Sequence, residues 1–162
     1  MLVFVNWTDV VHLGGPTYIA TDSVPVVAKF LAAHPEGVLP REFDFSALVS
    51  QCNEFEEATA QAGDVFLLHP FVLHAASQNP LRLIRIISNP PVHLREAMCF
   101  NRADGCYSPI ELGVLAGLGA ESYDFVPSGP PERVVPERIK RQQQMLDEER
   151  ARADGFSGLT RF

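Results

Sequence analysis

Two short apolar runs open the chain. Leu2 to Trp7 is apolar and aromatic and reads as a strand. Thr8 to Gly15 is a loop running into Gly14-Gly15-Pro16, and Thr17 to Thr21 resumes as a short strand. The period then changes. Val26, Val27, Phe30 and Leu31 recur at helical spacing, with Asp22 or Ser23 placed to cap and Pro25 in the first turn. This helix should pack one face on the sheet and end near Pro35. Gly37 to Phe43 reads as a loop and Asp44 to Cys52 as a second short helix, while Glu54 to Thr59 fits neither period.

The next stretch organises the rest. Val65 to Leu68 and Phe71 to Leu73 are apolar and rich in β-formers. Ser77-Gln78-Asn79-Pro80 breaks the run, because Pro80 cannot continue a ladder and Asn79 tolerates turn conformations. Leu81 to Ile87 then returns, apolar except at Arg82 and Arg85. A symmetric hairpin about Asn79-Pro80 puts His74 opposite Arg85, with Cβ atoms about 5 Å apart. Arg85 then sits among Leu83, Ile84, Ile86 and Ile87. A guanidinium there keeps its charge and needs an anion. A bidentate ligand carboxylate would serve, and so would Asp9 or Asp64 from elsewhere in the chain. Arg82 points to the other face. An imidazole beside an arginine that lacks an anion suits a chelating keto-acid, with one end on a metal and the other on Arg85.

Downstream, Asn89-Pro90-Pro91 stops the strand and Val92 to Arg102 is irregular. Ser108 can cap a helix with Pro109 in its first turn and Glu111 at the capping-box position, and Ile110, Val114, Leu115 and Leu118 line one side. The chain divides on this reading into residues 1–121, a Pro-rich linker over 122–136, and a tail over 137–162. In the tail, Glu137 to Ala153 is a charged helix with Glu137–Arg141 and Glu148–Arg152 at salt-bridge spacing. Its apolar stripe is thin (Val135, Ile139, Met145, Leu146), which fits a solvated helix, and the final residues from Phe156 should fray.

Composition narrows the partners. The net charge of -7 disfavours nonspecific binding to nucleic acid and anionic membranes. No apolar run approaches the ~20 residues of a membrane span. Cys52, Cys99 and Cys106 are odd in number, far apart and without Cys-x-x-Cys spacing, which favours reduced thiols in a cytoplasmic protein over a zinc site.

His74, Ser77-Gln78-Asn79 and Arg85 at this spacing, following Gly63-Asp64-Val65, resemble the second half of the phytanoyl-CoA dioxygenase-like family over roughly residues 3 to 118. The resemblance implies a mainly β fold with flanking helices, a partial double-stranded β-helix of jelly-roll or cupin-like type. Glu54 to Thr59 would then be a strand leading to the turn at Ala62-Gly63-Asp64. The resemblance also implies Fe(II) and 2-oxoglutarate as cofactors. Oxidative decarboxylation of 2-oxoglutarate would be coupled to hydroxylation of an aliphatic C–H bond in a small molecule. His74 would be the second histidine of a His-x-Asp…His metal triad. Arg85 would hold the far carboxylate of 2-oxoglutarate, Ser77 would add a hydrogen bond to it, and Trp7, Thr17 and Phe71 would be pocket walls.

The chain departs from that pattern in one respect. Its five histidines are followed at the second position by Gly14, Glu36, Phe71, Ala76 and Arg95, so it carries no His-x-Asp. Only His34-Pro35-Glu36 offers a carboxylate, at a helix end and after the Gly-Gly segment. His69 reads as a polar group near a turn, and His12 and His93 as loop residues. The expectation is therefore the C-terminal part of a longer oxygenase, or a degenerate copy, with an incomplete iron site and little activity alone. Missing strands would expose a sheet edge and encourage a homo-oligomer. Two rivals stand beside it. One is a non-catalytic module that binds small carboxylates or a partner. The other is a cupin-type metal barrel using His69 and His74.

Overall fold

The computed structural model describes residues 1–39, 43–92, 95–130 and 134–157; His93 lies outside them. Among the described residues six strands and four helices follow in order: β1 Leu2–Asn6, β2 Thr17–Ala20, α1 Ser23–Ala32, α2 Phe45–Val49, β3 Phe55–Ala58, β4 Val65–Leu68, β5 His74–Ala76, β6 Ile87–Ser88, α3 Pro109–Leu118 and α4 Glu137–Ser157. Helices hold more residues than strands, so the mainly β expectation is corrected to a mixed α/β chain. The described residues form two compact units, 1–129 and 130–162. The segment read as a linker is tied into the first unit, where Tyr123 N–H donates to Phe100 O and Ser128 N–H to Pro35 O.

The strands make two antiparallel three-stranded sheets, in the orders β4-β1-β6 and β3-β2-β5. Neither closes into a barrel. The pairing is nested. β2 pairs with β3, inside the pairing of β1 with β4, and β5 and β6 then add to the free edges of β2 and β1. The hairpin about Asn79-Pro80 is therefore corrected. β5 pairs with β2 in the second sheet and β6 with β1 in the first, so residues 77–86 cross between sheets instead of returning along β5. Phe71 to Leu73 precedes the strand, and of the Leu81–Ile87 run only Ile87 is in β6.

Alternation fixes the faces. Phe4 pairs with Phe66 and turns toward the second sheet, where its ring meets the His74 ring edge-on at 5.7 Å. Val3 and Val5 share the opposite face with Leu67 and Val65, the latter two exposed. The core gathers Phe4, Ile19, Ala20, Val27, Ala28, Leu48, Val114 and Leu115.

The helices are held by local chemistry. Asp44 caps α2 with a carboxylate that accepts from Ser46 N–H at 2.8 Å. Ser108 and Glu111 form the expected capping box on α3, and Gly119 closes the helix in the left-handed region at φ 70°. Asp22 occupies the position before α1 without capping it; its carboxylate accepts from Asn53 N–H and Glu54 N–H instead. Ser23, fully buried, donates to Ala20 O at 2.6 Å and accepts from Leu73 N–H at 2.9 Å, joining the end of β2 to the approach to β5.

α1 and α3 pack closely because Gly117 has no side chain. A Cβ there would lie 2.8 Å from Pro25 Cα, a backbone atom that cannot swing away. Gly117→Ala is expected to destabilise the first unit by about 1–3 kcal/mol through overpacking, despite alanine's better helix propensity. Thermal denaturation checks it. An unchanged or higher midpoint would mean the two helices separate without penalty.

In the second unit, α4 is exposed along its described length. Among its described residues, Glu137–Lys140, Asp147–Arg150 and Glu149–Arg152 pair at i,i+3, in place of the Glu137–Arg141 and Glu148–Arg152 pairs expected from sequence. Such exposed pairs add little stability. Among the described residues no helix is long and apolar enough to cross a membrane, and Cys52, Cys99 and Cys106 are free thiols.

Candidate functional site

The two sheets face one another across a small set of polar side chains. In the register of β2 with β5, Thr17 lies opposite Ala76 and Ile19 opposite His74. All four share one face, the one that receives Phe4. Arg85, on the crossover just before β6, reaches onto this face, and its Nη2 donates to Thr17 Oγ1 at 2.7 Å. The hairpin geometry is wrong, yet His74 and the Arg85 guanidinium share one inner face. They are separated by two residues of β2, about 7 Å along the strand.

The crossover that aims Arg85 is pinned by the Gly-Gly turn. Asn79 closes its own loop, its amide donating to Leu83 O at 2.7 Å and its carbonyl oxygen accepting from Leu83 N–H at 3.2 Å. That loop packs on Gly15, where a Cβ would come within 3.1 Å of Asn79 Cβ. Gly15 also has φ 79°, so glycine answers both a close approach and a left-handed backbone. Ile86 N–H then donates to Thr8 Oγ1, and Trp7 N–H to Ile86 O. Arg85 thus sits between two fixed points.

Its own electrostatics are unresolved by the protein. Arg85 Nε is buried and has no hydrogen-bond partner. Among the described residues no ion pair includes Arg85. The two aspartates that could have neutralised it are engaged in loop turns. Asp9 accepts from Ala62 N–H and Asp64 from Gln61 N–H, each at 2.8 Å. A half-buried guanidinium with one hydroxyl partner and an orphaned N–H has donors that could hold an oxyanion.

His74 is exposed, and its Nδ1–H donates to Val72 O at 3.0 Å. A carbonyl can only accept, so the neutral ring carries its proton on Nδ1 and leaves the Nε2 lone pair open. That is the tautomer of a metal-ligating imidazole oriented by a backbone carbonyl.

The other sequence candidates lie elsewhere. Ser77 Oγ donates to Gln78 O at 3.4 Å, and the hydroxyl set against Arg85 belongs to Thr17. Thr17 was legible only as a pocket wall, because its role depends on a strand register that local sequence does not carry. Trp7 is exposed, with its indole N–H on Ser88 Oγ. His34 Nδ1 donates to Phe30 O at 2.7 Å, its ring 4.3 Å from that of Phe30 at the end of α1, and Glu36 is exposed. His12 pairs with Glu57 on the surface. His69 has both ring nitrogens engaged by backbone, with Phe71 N–H donating to Nδ1 and Nε2–H donating to Ile110 O, so it is not a second open imidazole beside His74.

Among the described residues no group of three or more His, Cys, Asp or Glu converges. A resident iron needing three protein ligands therefore does not fit the described residues of this chain, which place one imidazole at this face. On the opposite face of the second sheet, Tyr18 and Phe55 stack in parallel at 5.7 Å and, with Val27, Phe45, Val49 and Phe71, line an open apolar cavity of about 550 Å³. Compared with protein-family models, with curated proteins and with solved structures, the chain has no match in any of the three.

Proposed function

We propose that this chain belongs to the class of roll-type proteins that bind small dicarboxylates between two antiparallel sheets. More particularly, it is read as part of an iron(II)- and 2-oxoglutarate-dependent oxygenase resembling the phytanoyl-CoA dioxygenase-like family. On this reading it contributes the co-substrate end of the site. The nested pairing supports the partial double-stranded β-helix. On this reading β1 with β4 and β2 with β3 would be the inner turns of a roll; β5 and β6 each carry one bonded and one free edge. The observation that carries the functional reading is Arg85. Its buried Nε lacks a partner, its Nη2 rests on Thr17, and no carboxylate of the described chain pairs with it.

On this reading Arg85 and Thr17 hold the far carboxylate of 2-oxoglutarate, and His74 presents its open Nε2 toward the keto-acid end. Bound iron would supply activation of dioxygen for hydroxylation of an aliphatic C–H bond in a small-molecule substrate. The described residues do not hold that iron alone, so no catalytic step is assigned to them. The chain is a fragment or a degenerate copy with respect to catalysis, and it retains recognition of the co-substrate.

Calorimetric titration of the metal-free protein with 2-oxoglutarate tests this. Binding is expected, with competition by succinate, and loss on Arg85→Ala. Anaerobic addition of iron(II) should give no near-visible charge-transfer band of an iron–keto-acid chelate. No binding of either acid by the folded protein would sink the carboxylate reading. A band that disappears on His74→Ala would overturn the incomplete-site reading and place further ligands in this chain or in a second copy.

A further inference from the structure

His69 sits where three parts of the first unit meet. It follows β4, opens the turn that leads to β5, and lies under α3. Its Nε2–H donates to Ile110 O at 3.0 Å, and its Nδ1 accepts from Phe71 N–H at 3.1 Å. The turn is closed further by Val72 N–H on His69 O. The ring lies where Gly113 leaves room, since a Cβ at Gly113 would stand 3.3 Å from His69 Cδ2.

This geometry admits one protonation state. A carbonyl on Nε2 requires a proton there, and an amide N–H on Nδ1 requires a lone pair there. The neutral Nε2–H form satisfies both. The imidazolium would set Nδ1–H against Phe71 N–H and break the bond that closes the turn. Nearby charges do not rescue the cation. On β1's side stands the Met1 ammonium. On α3, Glu111 is bound to Arg102, Cys99 and Ser108. On α1, Lys29 is exposed and Asp22 accepts from Asn53 and Glu54. None of these forms an ion pair with His69.

We propose that His69 is a proton-operated latch: its protonation unpins residues 69–72 from α3 and frees the turn before β5 while both sheets stay folded. Burial holds the His69 pKa below its ordinary value, against the raising effect of the Ile110 carbonyl and with help from the Met1 ammonium. The latched state is therefore favoured above the ordinary histidine pKa and is lost as pH falls through the lowered folded value. Leu73 and His74 follow this segment directly, and Pro70 to Leu73 line the apolar cavity, so release loosens one wall of it.

Amide exchange by NMR across this range tests the latch without any ligand. Protection of the Phe71 and Val72 amides, corrected for intrinsic rates, should fall about tenfold per pH unit below about 6.5. Ile19 and Phe4 amides should stay protected. His69→Asn, which offers a non-titrating acceptor to Phe71, should remove the step. If that variant fails to fold, the wild-type ring titration decides: the His69 ring shift and the loss of Phe71 protection must share one midpoint. Protection that does not change with pH, that falls together with Ile19 and Phe4, or that keeps its step in His69→Asn would overturn the proposal.

Discussion

Glu111→Ala is expected to lower the unfolding free energy of the first unit by about 3–5 kcal/mol, the range for removing one partner of a buried ion pair. The side chain is 2% exposed. Oε1 accepts from Cys99 N–H at 2.7 Å and Arg102 Nη2 at 2.9 Å, and Oε2 accepts from Ser108 N–H at 2.8 Å. One carboxylate therefore fixes the loop before α3, the capping box of α3 and the guanidinium of Arg102. Among the described residues, truncation leaves Arg102 with only the exposed Glu96 and orphans two backbone donors. Urea denaturation followed at Trp7, the single tryptophan, reads the first unit directly. The midpoint should fall with little change in slope. A loss below about 1 kcal/mol would mean that the cluster behaves like a surface bridge.

The same carboxylate sets the acid response. The Arg102 guanidinium beside Glu111, then the Cys99 N–H, hold its pKa down to about 2, with burial opposing them. A folded pKa below the unfolded one contributes stability that is complete above the ordinary glutamate value. That contribution is lost as pH falls from about 4.5 toward 2. The steep part of the stability curve in this window should flatten in Glu111→Gln, which cannot titrate. The His69 latch begins to open at higher pH, so the two groups are separable by window as well as by mutation.

What sequence revealed here was what short-range chemistry decides. The capping box of Ser108 and Glu111 was legible because both partners lie within one turn. His74 and Arg85 stood out because each is costly among apolar neighbours. Their relation was not legible in the same way. Leu81 to Ile87 has the composition of a strand, and hairpin counting assumes that adjacent apolar runs pair. In the fold, Leu81, Leu83, Ile84 and Ile86 are all exposed, and the segment carries the chain from one sheet to the other. β-propensity scores a pleated, half-buried surface and does not name the partner strand. Thr17 illustrates the cost of that gap. It is sixty-eight positions from Arg85, and the crossover from β5 on one sheet to β6 on the other brings the guanidinium to its hydroxyl.

Arg85→Met separates a binding arginine from a structural one because the two readings predict opposite signs for stability. Methionine is nearly as long, unbranched and apolar, and adapts to irregular space. If Arg85 waits for a ligand, the empty protein already bears the cost of a half-buried guanidinium with an orphaned Nε, offset by one bond to Thr17. Replacing it should leave the unfolding free energy unchanged or raise it by up to about 2 kcal/mol, as when buried charges give way to apolar groups of similar volume. Affinity for 2-oxoglutarate should fall by about 2–5 kcal/mol, the cost of truncating one partner of a buried charge pair, or about 30- to 5,000-fold. Arg85→Lys should keep part of that affinity, since an ammonium supplies charge without the planar fork. A protein that loses stability in Arg85→Met would mark Arg85 as part of the scaffold, and unchanged affinity for the keto-acid would remove it from the site. Stability held with affinity lost is the pattern of a residue shaped by its ligand, since a group that serves only the fold has nothing to gain from an unpartnered Nε.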